Sequence, residues 1–218
     1  MNQGTAETAQ NGRWAGDFGR DYTDRNTLST AQLDSLCQTN YGITRHQLNQ
    51  TFLSDIPTSA RILEVGCNSG NQLLLLQEMG FTSLWGAEIQ PYALELARAR
   101  VQGVDLSRAT ALELPYEDGY FDLVFTSGVL IHISPANLPR ALDEIHRCAK
   151  TWIWGMEYYA PEVTQVNYRG QDDLLWKMDY VKRYMDRFGD LELVREQRLP
   201  YLNSANVDTM YLLKRKAK

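Results

Sequence analysis

The chain has 218 residues, 44% hydrophobic and 22% charged, with a net charge of −5 and a pI of about 5.3. That is enough length for one α/β domain with its own core. The acidic balance disfavours nucleic acid or another polyanion as partner, since the one basic cluster is the terminal "KRKAK". No apolar run approaches the roughly 18 residues of a membrane span. The three cysteines, Cys37, Cys67 and Cys148, form neither a CxxC pair nor a metal framework, and with no apolar leader they suggest a reducing, cytoplasmic setting.

In chain order, residues 1–12 are polar and without periodicity and read as disordered. "RWAGDFGRDYTDRN" follows, then helices around 29–38 and 43–55, closed by Pro57. Residues 1–57 read as a helical lid and substrate segment, and 58–218 as the core. "RILEVGCNSGNQLLLL" combines a short buried strand with a leucine-rich helix that stops at Gly80. Gly66, Asn68, Ser69 and Gly70 lie between them, residues that allow a tight turn and close backbone approach to a ligand. Strand and helix then alternate: strand 83–88, helix 91–101, a weak strand at 105–109, strand 121–127, helix 136–149 and strand 151–157. An insertion at about 157–180 reads as a substrate loop. Helix 172–188 is expected from Leu174, Met178, Val181, Met185 and Phe188 at helical spacing. Strands 191–199 and 207–215 close the chain as a hairpin around "PYLNSAN". The pattern implies a mostly parallel sheet with helices on both faces and a C-terminal antiparallel hairpin, with ligands at the carboxyl ends of the strands.

"GCNSG" is neither GxGxxG nor a P-loop. Glu88, ending the second strand, can accept both hydroxyls of a ribose. In order and spacing, "LEVGCNSGNQL", Glu88, "ATALELP" and "FDLVFTSGVLIHI" resemble the motifs of class I S-adenosylmethionine-dependent methyltransferases over about residues 60–157. The resemblance implies a Rossmann-like fold and S-adenosyl-L-methionine as cofactor. It places Glu64, Gly66, Asn68, Gly70, Glu88, Ile89, Ala111, Leu112, Ser127, Gly128 and Val129 at the cofactor. Thr110 stands where the family often has an aspartate beside the adenine. "WAGDFGRDYTDRN" and "EYYAPEVTQVNYRGQDDLLWKMDY" resemble the narrower family of methylases associated with pseudaminic acid biosynthesis, presumed small-molecule enzymes.

Methyl transfer needs an acceptor with a free lone pair, hence a group to take or hold its proton. His132 and Glu157, both at the carboxyl edge, are the candidate catalytic residues. Glu157 beside Tyr158 and Tyr159 suits an ammonium or guanidinium, which favours N-methylation of a small polar metabolite; O-methylation of a sugar hydroxyl is the alternative. Arg169 could grip an acid on the substrate, within a cluster of Tyr168, Trp176, Lys177 and Asp179. Trp14, Phe18, Tyr22, Arg25 and Asn26 are expected to form a lid over cofactor and acceptor. The expected state is a monomer or homodimer without bound metal. A dinucleotide oxidoreductase, a non-catalytic subunit on the same fold and a macromolecular methyltransferase are rivals; the absent GxGxxG, the intact loop with Glu88, and the missing basic face argue against them in turn.

Overall fold

The computed structural model describes residues 8–216. Four helices come first: α1 (Ala9–Ala15), α2 (Asp17–Asn26), α3 (Thr30–Tyr41) and α4 (Arg45–Leu53). The expected disorder at 1–12 is corrected where the chain is described: Thr8 caps α1 by accepting the Asn11 N–H, while residues 1–7 lie outside the described part. The Gln-Asn-Gly composition of α1 disfavours helix, so its tertiary contacts hold it. Ser29 with Gln32 and Thr44 with Gln47 form capping boxes that start α3 and α4.

The core then runs β1 (Arg61–Val65), α5 (Asn71–Glu78), β2 (Ser83–Glu88), α6 (Pro91–Arg100), β3 (Asp105–Arg108), β4 (Phe121–Ser127), α7 (Leu138–Cys148) and β5 (Ala149–Tyr158). β6 (Thr164–Gln165) and β7 (Trp176–Lys177) pair as a small antiparallel ribbon. α8 (Tyr180–Arg187), β8 (Leu191–Pro200) and β9 (Val207–Arg215) complete the chain. The expected helix 172–188 is therefore too long. Asp179 caps α8 by accepting the Lys182 N–H, so Leu174, in a bend, and Met178 are buried from a non-helical segment and Met185 is exposed. Helical spacing there mixed inward residues from two different conformations.

The seven-stranded sheet has the order β3-β2-β1-β4-β5-β9-β8, with β5–β9 and β9–β8 antiparallel and the rest parallel. Connections reverse direction between β1 and β4, so a crevice opens at their carboxyl ends. Buried side chains pack on both faces. One core joins Leu142, Ile145, Tyr184 and Tyr211; the other joins Leu48, Phe52, Leu73 and Leu76. The two cores hold the sheet rigid, and the loops beyond β1, β2 and β4 are positioned by it.

Candidate active site

The crevice is a cavity of about 260 Å³, walled by the loops after β1, β2, β3 and β4 and covered by α1 and α2. After β1 the chain turns through Gly66 at φ 74° and Asn68 at φ 46°. The Gly66 and Cys67 N–H groups both donate to the Ala87 carbonyl, at 2.7 and 3.1 Å. A Cβ on Gly66 would lie 2.5 Å from the Val129 side chain. Gly66 is thus fixed both by its left-handed backbone and by Val129 packed above it. Gly70 belongs to the same loop, but a Cβ there would meet Val101 and Ala97 of the α6 end, so it faces away from the cavity.

Glu88 closes β2 and lines the cavity. Its Oε2 accepts the Asn68 N–H and its Oε1 the Gln90 N–H, each at 2.8 Å. Each oxygen keeps a lone pair beyond those bonds. Burial raises its pKa, against the backbone N–H groups of Gln90, Asn68 and Ile89, which favour the charged form. Ile89, Thr110, Ala111 and Leu112 continue the wall, with the Thr110 hydroxyl accepting from the Asn11 side chain at 3.2 Å.

At the other end stand two buried charges. Glu64 is 3% exposed and its Oε2 has no hydrogen-bond partner among the described residues. Burial holds its carboxyl well above the usual range, opposed by the charge of Arg45. Arg45, 4% exposed, lines the same cavity. Its guanidinium donates to Asn49 Oδ1 at 3.0 Å and Ser127 Oγ at 3.1 Å, approaches Met156 Sδ, and lies over the Trp154 ring. It forms no ion pair with a carboxylate among the described residues, and burial lowers its pKa. The sequence reading missed Arg45 because an arginine opening an amphipathic helix looks like a solvated one.

The lid is fastened on both sides. Asn68 Nδ2 donates to Thr23 Oγ1 at 3.0 Å, Asn71 Nδ2 to the Asn26 carbonyl at 2.6 Å, and Gln90 Nε2 to the Trp14 and Gly16 carbonyls. Gln10 donates to the His132 carbonyl at 2.6 Å and accepts the Ser134 N–H. A Cβ on Gly19 would lie 1.8 Å from the Trp14 carbonyl oxygen, so only glycine lets α1 and α2 fold this tightly. Trp14, Tyr22 and Asn26 face the cavity; Phe18 packs edge-on against Trp14; Arg25 is exposed and outside it.

Gly128, Val129 and His132 also line the cavity. His132 Nδ1 lies 2.7 Å from the Leu174 carbonyl, which can only accept, so this nitrogen carries the hydrogen and Nε2 keeps its lone pair. Burial pulls the His132 pKa down to about 4, leaving the ring neutral. Trp14, Tyr168 and Tyr22 surround it at centroid distances of 4.5, 5.5 and 5.9 Å.

Glu157 does not meet the role expected of it. It is 1% exposed and outside the cavity wall. Its Oε1 accepts the Val129 N–H at 3.2 Å and its Oε2 the Ile131 N–H at 3.3 Å. The carboxylate therefore braces the 3-10 turn Leu130–His132 from behind, and burial pushes its pKa up to about 7. The other expected acceptor residues are also placed elsewhere. Lys177 lies over the Tyr158 ring at 5.3 Å, and Arg198 covers Tyr159 at 3.4 Å. Arg169 sits exposed in a turn at φ 53°, and Trp176 is buried in the core. Tyr168 does not line the cavity but packs against His132, which does, and against Phe18.

Comparison with known proteins agrees with this architecture. Residues 63–151 match the family described as "Methyltransferase domain". An uncharacterized methyltransferase of Synechocystis sp. is 32% identical over 105 residues, 48% of this chain and 49% of that protein. Methyltransferase GfsG of Streptomyces halstedii is 31% identical over 85 residues, 36% of this chain and 31% of that protein. The chain thus spans about half or less of the curated relatives it matches. Among solved structures, 1,6-didemethyltoxoflavin-N1-methyltransferase of Burkholderia thailandensis, with bound S-adenosylhomocysteine, superposes with a TM-score of 0.72 at 15% identity, covering 100% of this chain and 94% of that one. The [4+2]-cyclase SpnF superposes at 0.68 with 15% identity, covering 99% and 98%. The fold is that of the Rossmann-like methyltransferases, and a cyclase on the same fold shows that the site must decide the chemistry.

Proposed function

We propose that the chain is an S-adenosylmethionine-dependent methyltransferase acting on a small molecule. The observation that carries this reading is the order in which neighbouring strands bring groups to one cavity: Thr110–Leu112 after β3, Glu88 at the end of β2, Glu64 and Gly66 at the end of β1, and Arg45 bonded to Ser127 at the end of β4. That order fits a nucleoside joined to an amino acid. The Glu88 oxygens suit the ribose hydroxyls, with Ile89 and Leu112 against the adenine. The unpartnered Glu64 Oε2 suits an ammonium, and Arg45, without a carboxylate partner, suits the α-carboxylate. No phosphate needs neutralising, in keeping with a loop that offers no lysine. The cofactor, when bound, supplies a methyl carbon activated by a sulfonium.

The chain's own residues supply enclosure and alignment. The fastened lid fixes one wall of the cavity, and alignment of this kind contributes roughly 7–11 kcal/mol in oriented reactions. A cavity of about 260 Å³ roofed in part by α1 and α2 suits a small molecule better than a macromolecule. With Glu157 turned into the wall, the feature that favoured an amine acceptor loses its basis, and His132 becomes the group facing the acceptor. Labelled cofactor incubated with a fractionated metabolite extract tests the reading: label should enter the small-molecule fraction. Label in protein or nucleic acid alone would refute the small-molecule reading; no label together with no S-adenosylhomocysteine binding would refute the methyltransferase reading.

A further inference from the structure

Trp14, Tyr22, Val129, His132 and Ile133 line the same cavity. None of these carries a charge at neutral pH. The charged groups of the cavity are Glu64, Glu88 and Arg45, the three assigned above to the cofactor. Glu157 lies outside the cavity wall, its oxygens accepting the Val129 and Ile131 N–H groups from behind the turn. Arg25 and Arg169 are exposed to solvent outside the wall.

Resting on the methyltransferase reading, we propose that the acceptor is an uncharged planar ring compound that presents its reacting ring N–H or O–H to His132 Nε2. The rings of Trp14 and Tyr22 meet edge to face at 5.3 Å, and Trp14 lies 4.5 Å from His132. These rings form a fixed apolar corner, and such corners favour another flat π-system. An alkylammonium would enter this corner without a carboxylate to pair with, which is costly. A sugar would set hydroxyls against the apolar faces of these rings, and Gln10, bonded at both polar ends to the backbone of 132–134, gives them no partner. The tautomer is set from behind. Leu174 accepts the Nδ1 hydrogen, so Nε2 keeps its lone pair and points it away from Leu174. In the reaction the acceptor's N–H or O–H bond breaks and its proton goes to Nε2. The freed lone pair forms the bond to the methyl carbon, and the pair of the broken carbon–sulfur bond stays on sulfur.

Saturation-transfer NMR on the full chain, saturated with S-adenosylhomocysteine, tests the proposal with phenol and uracil against n-propylamine and methyl α-glucoside. Phenol or uracil should show saturation transfer, and the His132→Ala variant should weaken it about tenfold, the value of one lost hydrogen bond to a desolvated group. S-adenosylhomocysteine affinity in that variant, measured separately, should stay within about twofold of wild type. Transfer to propylamine or the glucoside alone, or to no probe, overturns the ring-acceptor proposal while the cofactor reading stands. Failure of S-adenosylhomocysteine to bind at all overturns the cofactor reading instead.

Discussion

The buried Glu157 carboxyl yields a stability difference that can be worked from the structure. Its ordinary value is 4.5 and burial raises it to about 7, with the N–H groups of the 129–131 turn working the other way. Such a displacement corresponds to roughly 3 kcal/mol. The sign follows from proton counting. Below pH 4.5 the group is protonated in both states and contributes no difference. Between 4.5 and 7 the unfolded chain releases the proton and the folded chain keeps it, so stability falls as pH rises; above 7 the loss is complete. Glu157→Gln removes this titration and leaves the other groups unchanged, so they cancel when the two proteins are compared. The carboxamide still accepts one N–H but faces the other with its NH2, a constant cost of about 1–3 kcal/mol. Urea unfolding of both proteins at pH 4.5, 6 and 8 measures it. The variant should gain roughly 3 kcal/mol relative to wild type across that range. Parallel stability curves would show that Glu157 does not titrate in the fold, and would refute the burial argument.

Three further outcomes are expected. Glu88→Ala removes charge-assisted bonds worth roughly 1.5–3 kcal/mol each, so calorimetric titration should show S-adenosylhomocysteine binding weakened at least about tenfold. Arg45→Met replaces a buried charge lacking a carboxylate partner with an apolar chain of similar reach; urea unfolding should show stability kept or raised while cofactor affinity drops at least about tenfold. Gly66→Ala places a Cβ 2.5 Å from Val129 on a backbone at φ 74°. It should cost about 1–3 kcal/mol in a melting experiment, and Val129→Ala in the same chain should restore part of that.

Much of the cofactor side of the site is readable from the residues themselves. A short apolar strand, a glycine-bearing turn and an acid ending the next strand are local features, and the parallel sheet places them side by side. The acceptor side is not readable in that way. Strand alternation puts Glu157 at the carboxyl edge, but which N–H groups its oxygens meet depends on how the chain turns after β4. Arg45 looks solvated in sequence and becomes buried only when α4 packs over Trp154 and Met156. Helix α1 has poor intrinsic propensity and is held by Gln10, Asn11 and Arg13 reaching residues more than ninety positions away. The segment before α8 mimics helical spacing while its chain bends and then runs as the short strand β7.

Titration of the wild-type chain with S-adenosylhomocysteine in a calorimeter tests the central claim most directly. One molecule should bind per chain, with a rise in melting temperature that grows with ligand concentration and is diminished in both Glu88→Ala and Arg45→Met. An absence of binding heat together with an unmoved melting temperature would contradict the account.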